Sequence, residues 1–222
     1  MGFRRIIKDY TETPISRHLI LELLGNYKSP NDKISELVKS KELISLRRGL
    51  YTIGAKMGLP SPEPFLIANH LRGPSYVSLE SALSFWNLIP ERVYEISSVT
   101  IKSSKRYKTP VGRYTYKQLK IPYYSYGIKH VEFSSKQTIL IASPEKALCD
   151  KIVLTPKINL RSIKQTKEFL LEDLRIDAEA LKNLDKKVIE LWVKDAPKKS
   201  SLKMLIKTLI FADDPLGKIK KQ

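Results

Sequence analysis

Apolar residues in the first 60 positions recur at the spacing of buried helical faces. The first such face runs from Phe3 to Tyr10 at i, i+3, i+4 and i+7, which predicts a short amphipathic helix. A second helix is predicted to start at a Thr13 cap followed by Pro14 and to end at Gly25. A third helix is predicted to open at Pro30. Its buried face consists of Ile34, Leu37 and Val38.

A β-hairpin is predicted directly after these helices. Its strands are Ile44 to Leu46 and Leu50 to Ile53, and Gly49 supplies the backbone freedom that a tight turn needs. The turn places Arg47 and Arg48 side by side at the tip. Three short helices followed by a hairpin are typical of a winged helix-turn-helix, in which the third helix enters the major groove. The alternatives are an ordinary exposed turn and a helical module for protein contacts.

Residues 54–64 contain two glycines and three prolines, which predicts a boundary. Helices are predicted beyond it at 65–71 and from a Ser78 cap to Trp86, a residue expected in the core. The apolar period then changes towards two, which predicts strands. The predicted strands are Val93 to Lys102, Tyr107 to Thr109, Gly112 to Tyr116, Tyr123 to Tyr126 and Thr138 to Ile141.

Helical patterns return after residue 142 and continue through the last third of the chain. Ser143-Pro144-Glu145 combines a cap, a proline at the first helical position and an early acid, which predicts a helix start. Further caps are expected at Asp177, at Asp185 and at Ser200 or Ser201. The predicted fold class is therefore α+β, with a mainly antiparallel sheet and a helical C-terminal region. The predicted divisions are a winged helix at 1–60, an α+β core at 61–156 and a helical region at 157–222.

The charge of the chain changes this picture. Forty Lys and Arg against 23 Asp and Glu give a net charge of +17, which points to a polyanionic partner. The excess is spread along the chain: 11 basic and 6 acidic residues lie in 1–60, 13 and 7 in 61–156, and 16 and 10 in 157–222. The alternative is a general basic character that serves solubility.

The densest basic stretch lies within residues 101–130, where eight Lys and Arg occur without any acidic residue and alternate with six tyrosines. Such a stretch suits a single-strand or RNA-binding surface, an acidic protein partner, or a solvated sheet face with half of the tyrosines in the core. The candidate partner-binding residues are Lys102, Lys105, Arg106, Lys108, Arg113, Lys117 and Lys120.

Catalytic motifs give no coherent site. Ser143 and Lys146 match S-x-x-K without its usual companion motifs, and the helix cap explains the serine better. The three histidines are far apart, and no phosphate-binding glycine loop is present. We therefore predict no enzyme activity, no catalytic residue, no metal site and no cofactor. One cysteine, no secretory leader pattern and no apolar run of about 18 residues favour a cytoplasmic location.

Several ordered strings resemble the AbiEi-type antitoxin family of bacterial toxin–antitoxin and abortive-infection systems. The resemblance covers about residues 15–155. Its strings are RRGLY at 47–51, AN at 68–69, PSYVSLESAL at 74–83, LIPE at 88–91, SSVT at 97–100 and ASPEKAL at 142–148 with Asp150. The resemblance implies an N-terminal winged helix that represses its own promoter. It also implies a C-terminal part that counteracts a nucleotidyltransferase-like toxin encoded next door.

The expected DNA contacts follow from the hairpin and the third helix. The resemblance makes Arg47 and Arg48 DNA contacts, with Lys33, Ser35 and Lys39 as contacts on the recognition helix. Because that helix also exposes Asp32 and Glu36, Lys28 is expected to add phosphate attraction. The expected partners are promoter DNA and the toxin, with RNA as a further candidate. The alternative function is a transcription regulator with a ligand- or RNA-responsive C-terminal domain and no toxin.

Overall fold

The N-terminal part of the chain folds into three helices and a small sheet. A computed structural model describes residues 3–91 and 93–213. The helices are α1 (Phe3–Ile7), α2 (Arg17–Leu23) and α3 (Pro30–Lys39). The strands β1 (Ile15–Ser16), β2 (Leu43–Arg47) and β3 (Leu50–Ile53) pair antiparallel in the order β1-β3-β2. The predicted third helix and hairpin are confirmed.

The second helix starts later than the sequence predicted. Its cap is Ser16, whose hydroxyl accepts the Leu19 amide at 3.2 Å, and Thr13 lies outside it. Ile15 was expected inside the second helix, which was predicted to start after Thr13, but it pairs with Tyr51 as part of β1. A β-branched side chain suits a short strand, and burying Ile15 there (1% exposed) outweighs the local helix signal of Pro14.

The second part of the chain contains a six-stranded sheet with the order β6-β7-β5-β4-β9-β8. Its strands are β4 (Ser75–Val77), β5 (Glu95–Thr100), β6 (Lys105–Thr109), β7 (Gly112–Gln118), β8 (Ile128–Ser134) and β9 (Gln137–Ala142). The pairs β4–β9 and β5–β7 are parallel, and the other three pairs are antiparallel. The predicted α+β class and antiparallel strand pairing are confirmed.

One predicted strand in this part is absent, and the strands β4 and β8 were not predicted. Residues Tyr123–Ser125 form a 3₁₀ turn that buries Tyr123, so the aromatic run reflects core packing and not a strand. The sequence also missed β8, which ends the sheet at one edge. Lys129, His130 and Glu132 are exposed along that strand. Charged residues are common on edge strands because they discourage pairing with other chains, and they hide the apolar signal of a strand.

Helices cover both faces of this sheet. The helix α4 (Pro64–Leu71) lies on one face, where the Tyr116 hydroxyl donates to the Ala68 carbonyl at 2.6 Å. The helices α5 (Leu79–Phe85) and α6 (Pro144–Leu154) lie on the other face, where Tyr76 reaches Asp150. These helices begin where the sequence predicted. Trp86, expected in the core, is half-buried and donates to the Ala142 carbonyl.

The last third of the described chain is helical, as predicted. It contains α7 (Ile163–Lys167), a π-helical turn at Glu168–Asp173, α8 (Ala178–Lys182), α9 (Lys186–Val193) and α10 (Lys199–Asp213). The Asp177 and Asp185 carboxylates accept helix amides as expected of caps. Ser200 and Ser201 are not caps, because α10 already starts at Lys199. Among residues 3–91 and 93–213, no helix has the length and apolar character needed to span a membrane.

The hairpin joins two hydrophobic cores. The smaller core lies among α1, α2 and α3 and includes Ile20, Leu37 and Ile53. The larger core surrounds the six-stranded sheet, and it takes in Leu46 and Leu50 from the hairpin. The tip of the hairpin is therefore packed against the second part of the chain.

Gly127 occupies a position that no larger residue fits. Its φ is +62°, and an added Cβ would lie 2.7 Å from both the Lys146 Cβ and the Trp192 ring. Gly49 has a similar φ of +79°, but nothing lies within 4 Å of its added Cβ. We expect Gly127→Ala to lower the free energy of unfolding by about 2 kcal/mol more than Gly49→Ala does, because only the first overpacks a core. Urea unfolding of both variants measures the difference, and equal losses would contradict it.

Candidate nucleic-acid interface

Arg17 joins the hairpin tip to the start of α3. Its backbone amide donates to the Gly49 carbonyl at 2.9 Å, which fixes the first turn of α2 beside the hairpin turn. Its guanidinium donates to the Asn31 Oδ1 at 2.8 Å, and Asn31 lies in the first turn of α3. The arginine is exposed. A cation therefore stands between the two elements that were predicted to contact DNA.

The exposed face of α3 is of mixed charge. Lys33 donates to Glu36 at 2.7 Å, and this hydrogen bond raises the pKa of Lys33. Ser35 donates to the Asn31 carbonyl at 3.1 Å. Of the predicted contacts near this helix, Lys39 and Lys28 are exposed and make no salt bridge among the described residues. The helix alone therefore supplies little net attraction for phosphate.

The two tip arginines have different surroundings. Arg47 is exposed, but its Nε donates to the Leu71 carbonyl at 3.0 Å and its Nη1 to the Arg48 carbonyl at 3.3 Å. Arg47 thus attaches the hairpin to the end of α4. Arg48 is exposed, and its guanidinium makes no hydrogen bond among the described residues. Of the two predicted contacts, Arg48 is the one whose guanidinium is available to a ligand.

More cations lie next to Arg47 at the end of α4. Arg72 donates to the Ser103 carbonyl at 2.6 Å and to the Tyr107 hydroxyl at 3.5 Å. Lys102 donates to the Gly73 carbonyl at 2.5 Å. Lys105 stands over the Tyr107 ring, 5.0 Å from its centroid. We call the six residues that these contacts connect the hairpin cluster. Its members are Arg17, Arg47, Arg48, Arg72, Lys102 and Lys105.

The hairpin cluster has no neutralising acid. Within the part of the chain that the structure describes, none of its six cations forms a salt bridge with a carboxylate. Their hydrogen bonds go to carbonyls, hydroxyls and the Asn31 amide oxygen, which leave the positive charge in place. Unneutralised Arg and Lys side chains on one surface attract the phosphates of nucleic acid.

Sequence reasoning missed Arg17 and Arg72. Arg17 fell in the first turn of the predicted second helix, and its position beside Gly49 depends on the pairing of β1 with β3. Arg72 lies just after α4 and reaches Ser103, 31 residues later. Contacts that join distant segments leave no local pattern in a sequence. The one local pattern that could have indicated Arg17 is its position directly after Ser16, a possible helix cap.

Four other basic residues of the tyrosine-rich stretch lie on the opposite face of the sheet. Lys108 pairs with Arg113, and Arg106 pairs with Thr115, so their side chains share a face. Lys117 lies two residues beyond Thr115 on that face and donates to the Leu154 carbonyl at 3.4 Å. We call these four residues, Arg106, Lys108, Arg113 and Lys117, the sheet patch. Lys105 pairs with Tyr116 and faces the other way, and Lys120 is exposed beyond the end of β7.

Half of the tyrosines of the same stretch are buried in the core. Tyr114, Tyr116 and Tyr123 are buried, and the other three are half-buried. Burial raises the pKa of Tyr114 to about 12 and also raises that of Tyr116. These buried rings belong to the core beneath a basic surface. A sheet face with half of the tyrosines in the core was one of the three alternatives for this stretch. The three buried rings therefore cannot stack on bases, and Tyr107, Tyr124 and Tyr126 expose only part of their rings.

A buried ionic network lies beneath the sheet and not on a surface. Lys146 and Asp150 are both 0% exposed, and the Lys146 Nζ lies 2.9 Å from the Asp150 Oδ1. The other carboxylate oxygen accepts the Tyr76 hydroxyl at 2.9 Å and the Ser78 hydroxyl at 2.8 Å. Lys146 also donates to the Tyr123 carbonyl at 2.8 Å.

This network explains two residues from the sequence motifs. Ser78 precedes α5, but its hydroxyl binds Asp150 and not a helix amide. Ser143 is the cap of α6, because its hydroxyl accepts the Lys146 amide at 3.2 Å. The S-x-x-K match is thus a helix cap followed by a buried lysine. Since no solvent reaches the ion pair, the network can position the sheet and α6 but cannot bind a ligand as it stands.

No protein-family model and no curated protein matches this chain. The family resemblance in the sequence strings therefore stays a prediction. The candidate interface consists of two basic surfaces. The hairpin cluster lies on one side of the β6–β7 ribbon, and the sheet patch lies on the other.

Proposed function

We propose that the chain is an antitoxin that represses its own operon by binding promoter DNA through an N-terminal winged helix. The observation that carries this proposal is the order α1-β1-α2-α3-β2-β3 with β1 paired to β3. In a winged helix of this order, α3 is the recognition helix and the β2–β3 hairpin is the wing. The proposal gains support from Arg17 and Arg48, which place cations beside both elements.

The mixed charge of α3 assigns different tasks to different residues. Phosphate attraction falls to the hairpin cluster, because its cations lack acidic neighbours. Base contacts fall to the exposed polar residues of α3, among which Lys39 forms no salt bridge within the described part of the chain. Duplex DNA is favoured over single-stranded RNA because the tyrosines of this surface are at least half-buried.

The antitoxin half of the proposal rests on the family resemblance and on the sheet patch. Arg106, Lys108 and Arg113 are exposed and lie on the sheet face opposite Lys105. An acidic surface of a partner protein would complement this patch. Since the patch and the hairpin cluster lie on opposite faces, one molecule can contact DNA and the partner at the same time.

We expect the two activities to separate by mutation. Lys108→Glu with Arg113→Glu reverses the exposed charge of the sheet patch and is expected to abolish rescue of cells that express the neighbouring toxin. Repression of a reporter fused to the operon promoter should persist in this variant. Growth rescue and reporter activity, measured in the same strain, test both expectations.

The matched variant is Arg48→Ala. It should raise reporter activity several-fold and leave growth rescue unchanged, because Arg48 belongs to the hairpin cluster alone. If both variants lose both activities while remaining folded, the assignment of separate surfaces is wrong. If wild-type protein neither represses nor rescues, the proposed function itself fails.

A ligand-responsive regulator without a toxin is the second candidate. A cleft of about 520 Å³ lies between the hairpin and α4, with an apolar wall that includes Ile44, Ile53 and Ile67. A small apolar molecule in this cleft would contact the hairpin and the second part of the chain together. A neighbouring reading frame with no nucleotidyltransferase-like sequence would favour this candidate over the antitoxin.

A further inference from the structure

An open groove lies between the helices α9 and α10, and no sequence motif predicted it. Its volume is about 650 Å³. Its walls come from the second half of α9 and the length of α10. The lining residues are Glu190, Val193, Lys194, Lys199, Lys203, Ile206, Lys207 and Ile210. We call this feature the lysine groove. It lies in the helical C-terminal region and shares no residue with the hairpin cluster or the sheet patch.

The rim of the lysine groove is strongly positive. Four lysines face one glutamate, and none of the four forms a salt bridge or a side-chain hydrogen bond within residues 3–91 and 93–211. Lys199, Lys203 and Lys207 follow one another at four-residue intervals on α10. Each interval advances about 6 Å along a helix, so the three ammonium groups form a row about 12 Å long.

The floor of the groove is apolar. Val193 and Ile206 form its inner part and are nearly buried. Ile210 also lines the groove and is 55% exposed, although the preceding turn of α10 is packed into the core through Leu205 and Ile206. An exposed isoleucine beside an apolar floor is a surface that would gain free energy by being covered.

We infer that the lysine groove is a docking site for an acidic amphipathic helix of a partner protein. The apolar face of such a helix would cover Val193, Ile206 and Ile210. Its Glu or Asp side chains, spaced three or four residues apart, would pair with the lysine row. This inference is independent of the proposed DNA binding and of the sheet patch.

Other occupants fit the groove less well. A second copy of the chain that docks symmetrically through the same groove would bring four more lysines against the same rim. Residues 214–222 of the chain itself carry three lysines and one aspartate, which also adds positive charge. A nucleic-acid backbone would satisfy the lysines but would leave the isoleucines uncovered. Only a partner that is both acidic and apolar satisfies the whole groove.

The test uses the full chain and three fluorescein-labelled acidic peptides of about 18 residues, with Leu, Ile or Phe at the apolar positions of a helix and Glu beside them. Fluorescence anisotropy should show binding of at least one peptide at least tenfold tighter than its scrambled control. Ile210→Asp should weaken this binding at least tenfold. Lys203→Glu with Lys207→Glu should weaken it similarly, and the exposed positions of all three residues make folded variants expected.

The matched control is Lys56→Glu with Lys164→Glu, which makes the same charge change at exposed positions outside the groove. It should retain affinity within about threefold. The inference is overturned if no acidic peptide exceeds its scrambled control, or if the control variant loses as much affinity as the groove variants. It is also overturned if mixed-sequence duplex DNA displaces the peptide from the wild type and binds the variant Lys203→Glu with Lys207→Glu at least tenfold more weakly than it binds the wild type, since DNA would then occupy the groove.

Discussion

Replacing Asp150 with alanine is expected to lower the free energy of unfolding by about 3 to 5 kcal/mol, because it leaves the Lys146 ammonium buried without its carboxylate. Lys146 and Asp150 are both 0% exposed, so water cannot take over from the lost partner. The same change removes the acceptor for the Tyr76 and Ser78 hydroxyls. Urea unfolding monitored by circular dichroism measures the loss.

The matched control for Asp150→Ala is Glu179→Ala on α8. Glu179 forms a helical ion pair with Lys182, with the two side chains 75% and 44% exposed. Its removal is expected to cost less than about 0.5 kcal/mol, because exposed pairs are solvated and weak. The double variant Lys146→Met with Asp150→Leu should recover part of the loss, since no unpaired charge then stays buried. Equal costs for Asp150→Ala and Glu179→Ala would show that the buried pair does not hold the core together.

The double variant Arg17→Ala with Arg48→Ala is expected to bind DNA upstream of its gene roughly 30-fold more weakly than the wild type does. Both guanidiniums lie at the junction of the hairpin turn with α2 and α3. If each contacts one phosphate, the slope of log affinity against log salt should fall in magnitude by about 2. Arg48 is chosen over Arg47 because the Arg47 guanidinium fixes the hairpin to Leu71. Since the Arg17 guanidinium also donates to Asn31, urea unfolding of the double variant separates any loss of stability from the loss of binding.

The control for the double arginine variant removes two cations from the sheet patch. Lys108→Ala with Arg113→Ala makes the same change in net charge on the opposite face of the β6–β7 ribbon. Anisotropy titrations from about 50 to 300 mM salt, on a duplex of about 25 base pairs, compare the two variants. The DNA-binding surface is misplaced if the sheet-patch variant loses as much affinity and salt slope as the variant of Arg17 and Arg48.

Local signals in the sequence predicted the helices and strands with regular patterns. Pro30 with its apolar stripe, Gly49 in its turn and Ser143 before Pro144 each mark an element that the structure contains. The failures occurred where tertiary contacts outweighed local preference. Ile15 joined a strand because β3 lies beside it, and Tyr123 turned inward because the core takes its ring.

The candidate sites were less accessible to sequence reasoning than the fold. The basic stretch at 101–130 was visible, but only the strand register shows that Lys105 and Lys108 face opposite ways. The hairpin cluster needs Arg72, which the fold brings to Ser103, and the lysine groove needs two helices packed side by side. Proximity between distant segments is a property of the folded chain, and one sequence carries no direct record of it.

The packing of Leu46 and Leu50 into the larger core would restrict the orientation of a duplex bound at the hairpin. The hairpin is not a flexible wing, because its tip is packed against the second part of the chain. A duplex bound by the hairpin would therefore have a fixed orientation relative to the whole molecule. Any partner bound to the second part of the chain would be held at a fixed angle to the axis of that duplex.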